Sequence, residues 1–124
     1  MPFINDAALD LLLAKVDDDG EELHICSQEP TTATEAETTY SLGEKIPPTI
    51  GVPEDRTPNG RKVVITAITD GVVTATGTAT HWAIVKTSAT AMLLATGALA
   101  SSQAVTNGNT FTLTQFEVGV PDAV

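Results

Sequence analysis

The chain has 124 residues, of which 42% are hydrophobic and only 4% aromatic. A chain this long forms one domain with a single core and needs no disulfides to hold it; that core must be aliphatic. Twenty threonines favour a pleated, half-buried surface and hence an all-β fold, while a net charge of −10 disfavours direct contact with a nucleic-acid backbone.

The acid is concentrated early. Residues 1–55 carry 13 acidic and 2 basic side chains, and residues 56–124 carry 3 and 4. The acidic half reads either as a solvated face or as a surface that docks on a basic partner. The single cysteine, Cys26, excludes an intramolecular disulfide and a CxxC metal site.

Residues 1–20 are expected to form an N-terminal helix. Asn5 is a suitable N-cap, with Asp6 in the first turn against the helix dipole. Ile4 and Leu9 have the spacing of a hydrophobic staple. Leu9, Leu12, Leu13 and Val16 form an apolar stripe, and Gly20 after three aspartates is the stop signal. The stripe packs either on its own domain or on a neighbouring subunit. Asp6 and Asp10 interrupt the apolar opening and no basic segment precedes it, so no secretory leader or membrane span is expected.

Residues 21–124 are expected to form the β-domain. "ELHIC" (22–26) alternates as a strand, with Cys26 a buried structural thiol. "DDDGEE" (17–22) fails as an EF-hand calcium loop, because taking Gly20 as its glycine puts Lys15 at the first ligand position. Residues 27–39 are polar and carry Pro30, which predicts a loop, and "TTYSLG" predicts a short strand. Residues 46–60 are proline-rich and predict extended, irregular chain.

From Arg61 the pattern sharpens. "RKVVITAIT" and "VVTATGTAT" flank Asp70-Gly71, a two-residue hairpin signal. That hairpin would pair Ile68 with Val73, Thr66 with Ala75 and Val64 with Gly77. Its other face would pair Val63, Ile65 and Ala67 with Thr78, Thr76 and Thr74. Residues 72–86 are too long for one strand, so a bend is expected at Gly77 or near Thr80. At Trp82 and Ile84 both faces turn apolar, as in a strand that is covered twice or meets another chain. "AMLLATGALA" (91–100) fits strand or helix. Asn107-Gly108 predicts a second hairpin, and the phase change from Phe111 and Leu113 to Phe116, Val118 and Val120 predicts a bulge near Thr114-Gln115. The expected architecture is an antiparallel β-sandwich, jelly-roll-like, with one short N-terminal α-helix.

Chemistry is sparse. His24 and His81 have no metal-ligand spacing to each other, and His81, beside Trp82, reads as a packed or interface residue. There is no GxSxG elbow, P-loop or GxGxxG. Arg56, Arg61 and Lys62 gather around a turn without interleaved aromatics, a weak nucleic-acid signal but a plausible contact for an acidic surface. No catalytic residue, metal or cofactor is expected. A structural assembly protein fits these features best, ahead of a carbohydrate-binding β-module and an enzyme.

Three stretches carry a resemblance: "HICSQEPTTATEAETTYSLGEK", "PNGRKVVITAITDGVVTATGTATHWAIVKT" and "LLATGALASSQAVTNGNTFTLTQFEVGVPD". In these the chain resembles small structural proteins of tailed bacteriophages and prophages. The resemblance implies a non-enzymatic virion protein made in the bacterial cytoplasm. Capsid decoration is the leading role, and a tail, neck, baseplate or fibre part the alternative. The implied partners are the major capsid, tail or neck proteins. The surplus apolar surface of the helix stripe and of Trp82 and Ile84 adds further copies of the chain, and the charge and hydropathy predict neither nucleic acid nor membrane. Leu9, Leu12, Leu13, Val16, Arg56, Arg61, Lys62, His81, Trp82 and Ile84 are the candidate interface residues.

Overall fold

A computed structural model describes residues 10–11, 13–14, 20–57, 60–87 and 91–120. Asp10, Leu11, Leu13 and Ala14 are helical; Asn5, the Ile4–Leu9 staple, Leu9, Leu12, Val16 and the acidic run 17–19 lie outside the described residues. Among the described residues the strands are β1 (Glu22–Cys26), β2 (Ser41–Lys45), β3 (Glu54–Asp55), β4 (Arg61–Ile65), β5 (Ile68–Val73), β6 (Gly77–Lys86), β7 (Met92–Val105), β8 (Thr110–Leu113) and β9 (Phe116–Val120).

These strands build two antiparallel sheets in a sandwich-like, all-β fold. The larger runs β7-β6-β1-β2-β5-β8 and the smaller β3-β4-β9. β1 sits inside the larger sheet, with Ile25 opposite Trp82 on β6 and Gly43 on β2. Its alternation sorts the two faces. Leu23 and Ile25 enter the main core with Trp82 and Ile84, where Val63 and Ile65 of the smaller sheet meet them and Leu13 joins. His24 and Cys26 face the other way. There Cys26 packs with Ala83, Val85 and Ala36 of a single π-helical turn, Glu35–Thr39. That turn lies in the segment expected to be plain loop.

The two-sided apolar run on β6 is therefore covered by its own domain. Trp82 is 8% exposed and Ala83, Ile84 and Val85 are fully buried. The bend expected near Gly77 is a break: β5 ends at Val73 and β6 begins at Gly77. The segment 91–100 is strand, within β7.

The Asp70-Gly71 hairpin is not formed. Both residues lie inside β5, which pairs with β2 and β8, whereas β4 pairs with β3 and β9. The whole 63–78 register proposed from that turn is thereby replaced. Thr66 and Ala67 instead carry the chain from the smaller sheet to the larger. A glycine in a strand marks a bulge or a close approach as readily as a turn, and both occur here. The β5–β8 register shifts between Ile68 and Gly71, and a Cβ on Gly71 would stand 2.3 Å from the Phe111 ring.

Two further expectations change. The proline-rich stretch is not irregular throughout: Glu54 and Asp55 pair with Lys62 and Arg61, and Gly51 N–H donates to Val64 O at 2.8 Å. The phase change at Thr114-Gln115 is not a bulge but the crossing between sheets, since β8 belongs to the larger and β9 to the smaller.

Asn107-Gly108 does form a tight turn, with Asn109 N–H donating to Thr106 O at 3.0 Å and Gly108 at φ 92°. Its flanking strands form no ladder, because β7 and β8 are the opposite edges of the larger sheet. The sheet curls until the edges face each other, and one side chain spans them. Gln103 Nε2 donates to Thr112 O at 2.8 Å, and Thr112 N–H donates to Gln103 Oε1 at 3.4 Å. A primary amide has the donor and acceptor of a peptide group, so Gln103 stands in for a strand's main chain.

Candidate binding site

Most of the expected interface residues are used inside the fold. Leu13, Trp82 and Ile84 belong to the core, the latter two because β6 is an interior strand with a layer on each face. His81 is half-buried, its Nδ1 2.9 Å from Thr80 Oγ1. The cations around the β3–β4 turn are engaged as well. Arg61 makes a forked contact to Asp10, Nε to Oδ1 at 2.7 Å and Nη2 to Oδ2 at 3.2 Å, and Nη1 donates to Asp55. This ties the N-terminal helical residues to β4. The hydrogen bond to Asp10 holds the Arg61 guanidinium above its ordinary pKa. Lys62 donates to Glu117 and lies 3.8 Å from Glu54, and the Glu117 bond raises its pKa. Arg56 runs beside Gly119, where a Cβ would come 2.9 Å from its Cδ. Local carboxylates thus pair with both Arg61 and Lys62.

Sequence reasoning missed a polar network on the second face of the larger sheet. His24 is 3% exposed; its Nδ1 lies 3.0 Å from Ser41 Oγ and its Nε2 2.8 Å from Glu22 Oε1. Glu22 and His24 share a face by the two-residue period of β1, and Ser41 arrives from β2. The i, i+2 spacing was visible in "ELHIC", but the serine depends on pairing. The order serine, histidine, carboxylate is that of a nucleophile, its base and an orienting group. Here it satisfies both nitrogens of a buried imidazole, as buried polar groups require. A catalytic role would need a substrate site beside the serine. The cavity described next instead lies on the Trp82 side of β6, across the sheet from Ala83 and His24.

That cavity is a half-open groove of about 380 Å³. Two irregularities create it. Between the pairs His81–Ala98 and Ala79–Gln103, β6 contributes one residue and β7 contributes four, Leu99–Ser102, which swing out of the ladder. Opposite them the chain crosses between sheets at Thr114-Gln115. Bulges of this kind re-aim side chains and are frequent beside functional sites. Trp82, Leu113 and Phe116, with the 98–100 segment of β7, form the apolar part of the lining, and Ser101, Gln103, Thr112, Thr114 and Gln115 the polar part. The Trp82 and Phe116 ring centroids are 4.5 Å apart with planes inclined by 38°. Trp82 also lies over Gly97, where a Cβ would approach its ring to 2.7 Å. No lining residue carries a charge.

Among the described residues no three His, Cys, Asp or Glu side chains gather as a metal site, and no helix is long and apolar enough to cross a membrane. No protein-family model matches the chain, and neither a curated protein nor a solved structure does.

Proposed function

We propose that the protein is a non-enzymatic structural component of a tailed-bacteriophage particle and that it decorates the capsid. The observation that carries the reading is the charge of the folded domain. Lys45 is held by Asp70 at 3.0 Å, Arg61 by Asp10 and Asp55, and Lys62 by Glu54 and Glu117. With these cations neutralised locally and a net charge of −10, the surplus charge is acidic. A basic patch on a capsid shell is its electrostatic complement, and complementary potentials steer docking and set its register. The resemblance to small phage structural proteins supports the particle. The sandwich-like fold suits a protein that sits on a surface in many copies.

The test is to locate the protein on particles by electron microscopy with a specific antibody label. Label spread over the head supports decoration. Label confined to the neck, tail or fibres replaces decoration with those positions, and absence from purified particles overturns the virion reading. Deleting the gene should leave heads that assemble but lose their DNA more readily on heating.

A further inference from the structure

We propose that the groove between the β7 bulge and the β8–β9 crossing is a binding site for an uncharged saccharide. It is a separate property from the decoration reading and does not depend on it.

The first argument is charge. The protein carries 16 acidic and 6 basic residues, yet none lines the groove. Recognition of a phosphate, carboxylate or ammonium group uses an opposite charge or a forked cationic donor; the lining offers neither. A neutral ligand is the class left.

The second argument is the mixture of surfaces. Phe116 is half-buried, lines the groove and packs on Trp82, which fixes the orientation of its ring. An aromatic face is electron-rich and attracts the polarised C–H bonds on one side of a sugar ring. Around it stand hydroxyl and amide groups able to both donate and accept, as sugar hydroxyls do. Gln103 is pre-oriented by its two bonds to Thr112, leaving its second amide hydrogen and a lone pair of Oε1 for a ligand. A lipid or other fully apolar ligand would leave these polar groups without partners, which costs affinity.

The third argument excludes an inserted peptide strand. Strand addition needs a regular edge of alternating donors and acceptors. On the β7 side Leu99–Ser102 are out of register, and on the other β8 stops at Leu113. Gln103 already occupies the N–H and C=O of Thr112. The volume, about 380 Å³, falls near the lower end of the ~300–1,000 Å³ of ligand pockets and suits a mono- or disaccharide. The half-open mouth leaves the remaining hydroxyls in water.

The test is saturation-transfer NMR on the full chain with glucose, N-acetylglucosamine and maltose at millimolar concentration. Glucose 6-phosphate, N-acetylneuraminic acid and a neutral tetrapeptide serve as comparisons. At least one neutral sugar should receive saturation and shift the Trp82 and Phe116 ring signals, with the charged sugars weaker. Gln115→Ala and the groove-filling Ser101→Trp alter exposed positions and should retain the wild-type melting temperature. Each should weaken binding by about tenfold or more, the equivalent of one lost hydrogen bond to a well-placed ligand. No transfer to any neutral sugar, unchanged binding in Ser101→Trp, or binding of the peptide in preference to sugars would each overturn the proposal.

Discussion

Phe111 lies flat against Gly71: its ring occupies the space where a side chain would start, 2.3 Å from an ideal Cβ position. The two residues face each other across the β5–β8 pair, and Phe111 is 1% exposed. Gly71 is therefore required for room. Gly108 is required for its backbone, with φ at 92° and nothing within 4 Å of an added Cβ.

The two glycines should respond oppositely to the same substitution. Gly71→Ala forces the Phe111 ring aside and should cost ~1–3 kcal/mol, the usual range for overpacking. Gly71→Asn should be worse. At Gly108 the cost is conformational, about 1–2 kcal/mol for alanine, and Gly108→Asn should recover most of it because asparagine tolerates positive φ. Urea melts of the four variants check this, and equal responses of the two sites to asparagine would refute the distinction.

Gln103→Leu removes the amide that joins β7 to β8. The loss of two hydrogen bonds, one of them long, should cost about 1–2 kcal/mol, with the Thr112 amide exchanging faster than its neighbours. Gln103→Glu should not rescue, because a carboxylate cannot donate to Thr112 O. Native-state hydrogen exchange resolves the effect, and unchanged protection at Thr112 would show that the edges hold without the bridge.

Glu35 accepts from Thr31 N–H at 2.8 Å and from Thr31 Oγ1 at 2.7 Å. The backbone bond first, then the hydroxyl bond, hold its carboxyl below the usual carboxylate range. A depressed folded pKa means that this stabilisation is complete above the unfolded value of about 4.3 and is lost as pH falls through the lower folded one. The negative charge on Glu35 in turn raises the pKa of Tyr40. That contribution is complete below the unfolded tyrosine value of about 10 and is lost as pH rises past it. Glu35→Gln should therefore flatten the acid limb of the stability curve and bring the Tyr40 titration back towards its ordinary position. NMR titration of both groups tests the pair, and a Tyr40 midpoint indifferent to Glu35→Gln would break the link.

Cys26 is fully buried, with Sγ 3.7 Å from Ala36 O, and burial pushes its thiol up to about 11. The native protein at pH 8 should label with a thiol reagent only as fast as it opens, while the urea-unfolded chain labels at once. Because the folded pKa is raised, the thiol's contribution to stability is complete below the unfolded value of about 8.5 and fades as pH climbs towards the folded one. Fast labelling under native conditions would place Cys26 outside the core.

Local alternation determined much of this protein from the sequence alone. "ELHIC" is β1, Glu22–Cys26, because strand side chains alternate and the strand's apolar residues must be buried. The double-faced run at Trp82–Val85 required cover on both faces for the same reason, though only the fold decided that its own domain supplies it, and Asn107-Gly108 required a turn because few residues accept positive φ. Pairing was decided only in three dimensions. Asp70-Gly71 carries the same letters whether it turns the chain or makes room for an aromatic ring. Phe111, forty residues later, settles which, just as β9 settles that β4 joins the smaller sheet. The same holds for the sites. His24 gains its serine from a neighbouring strand, Arg61 its carboxylate from the N-terminal helical segment, and the groove exists because a bulge in β7 comes to face a crossing between sheets. Turn propensity is a property of two adjacent residues, whereas a contact between distant segments depends on which apolar faces bury each other best.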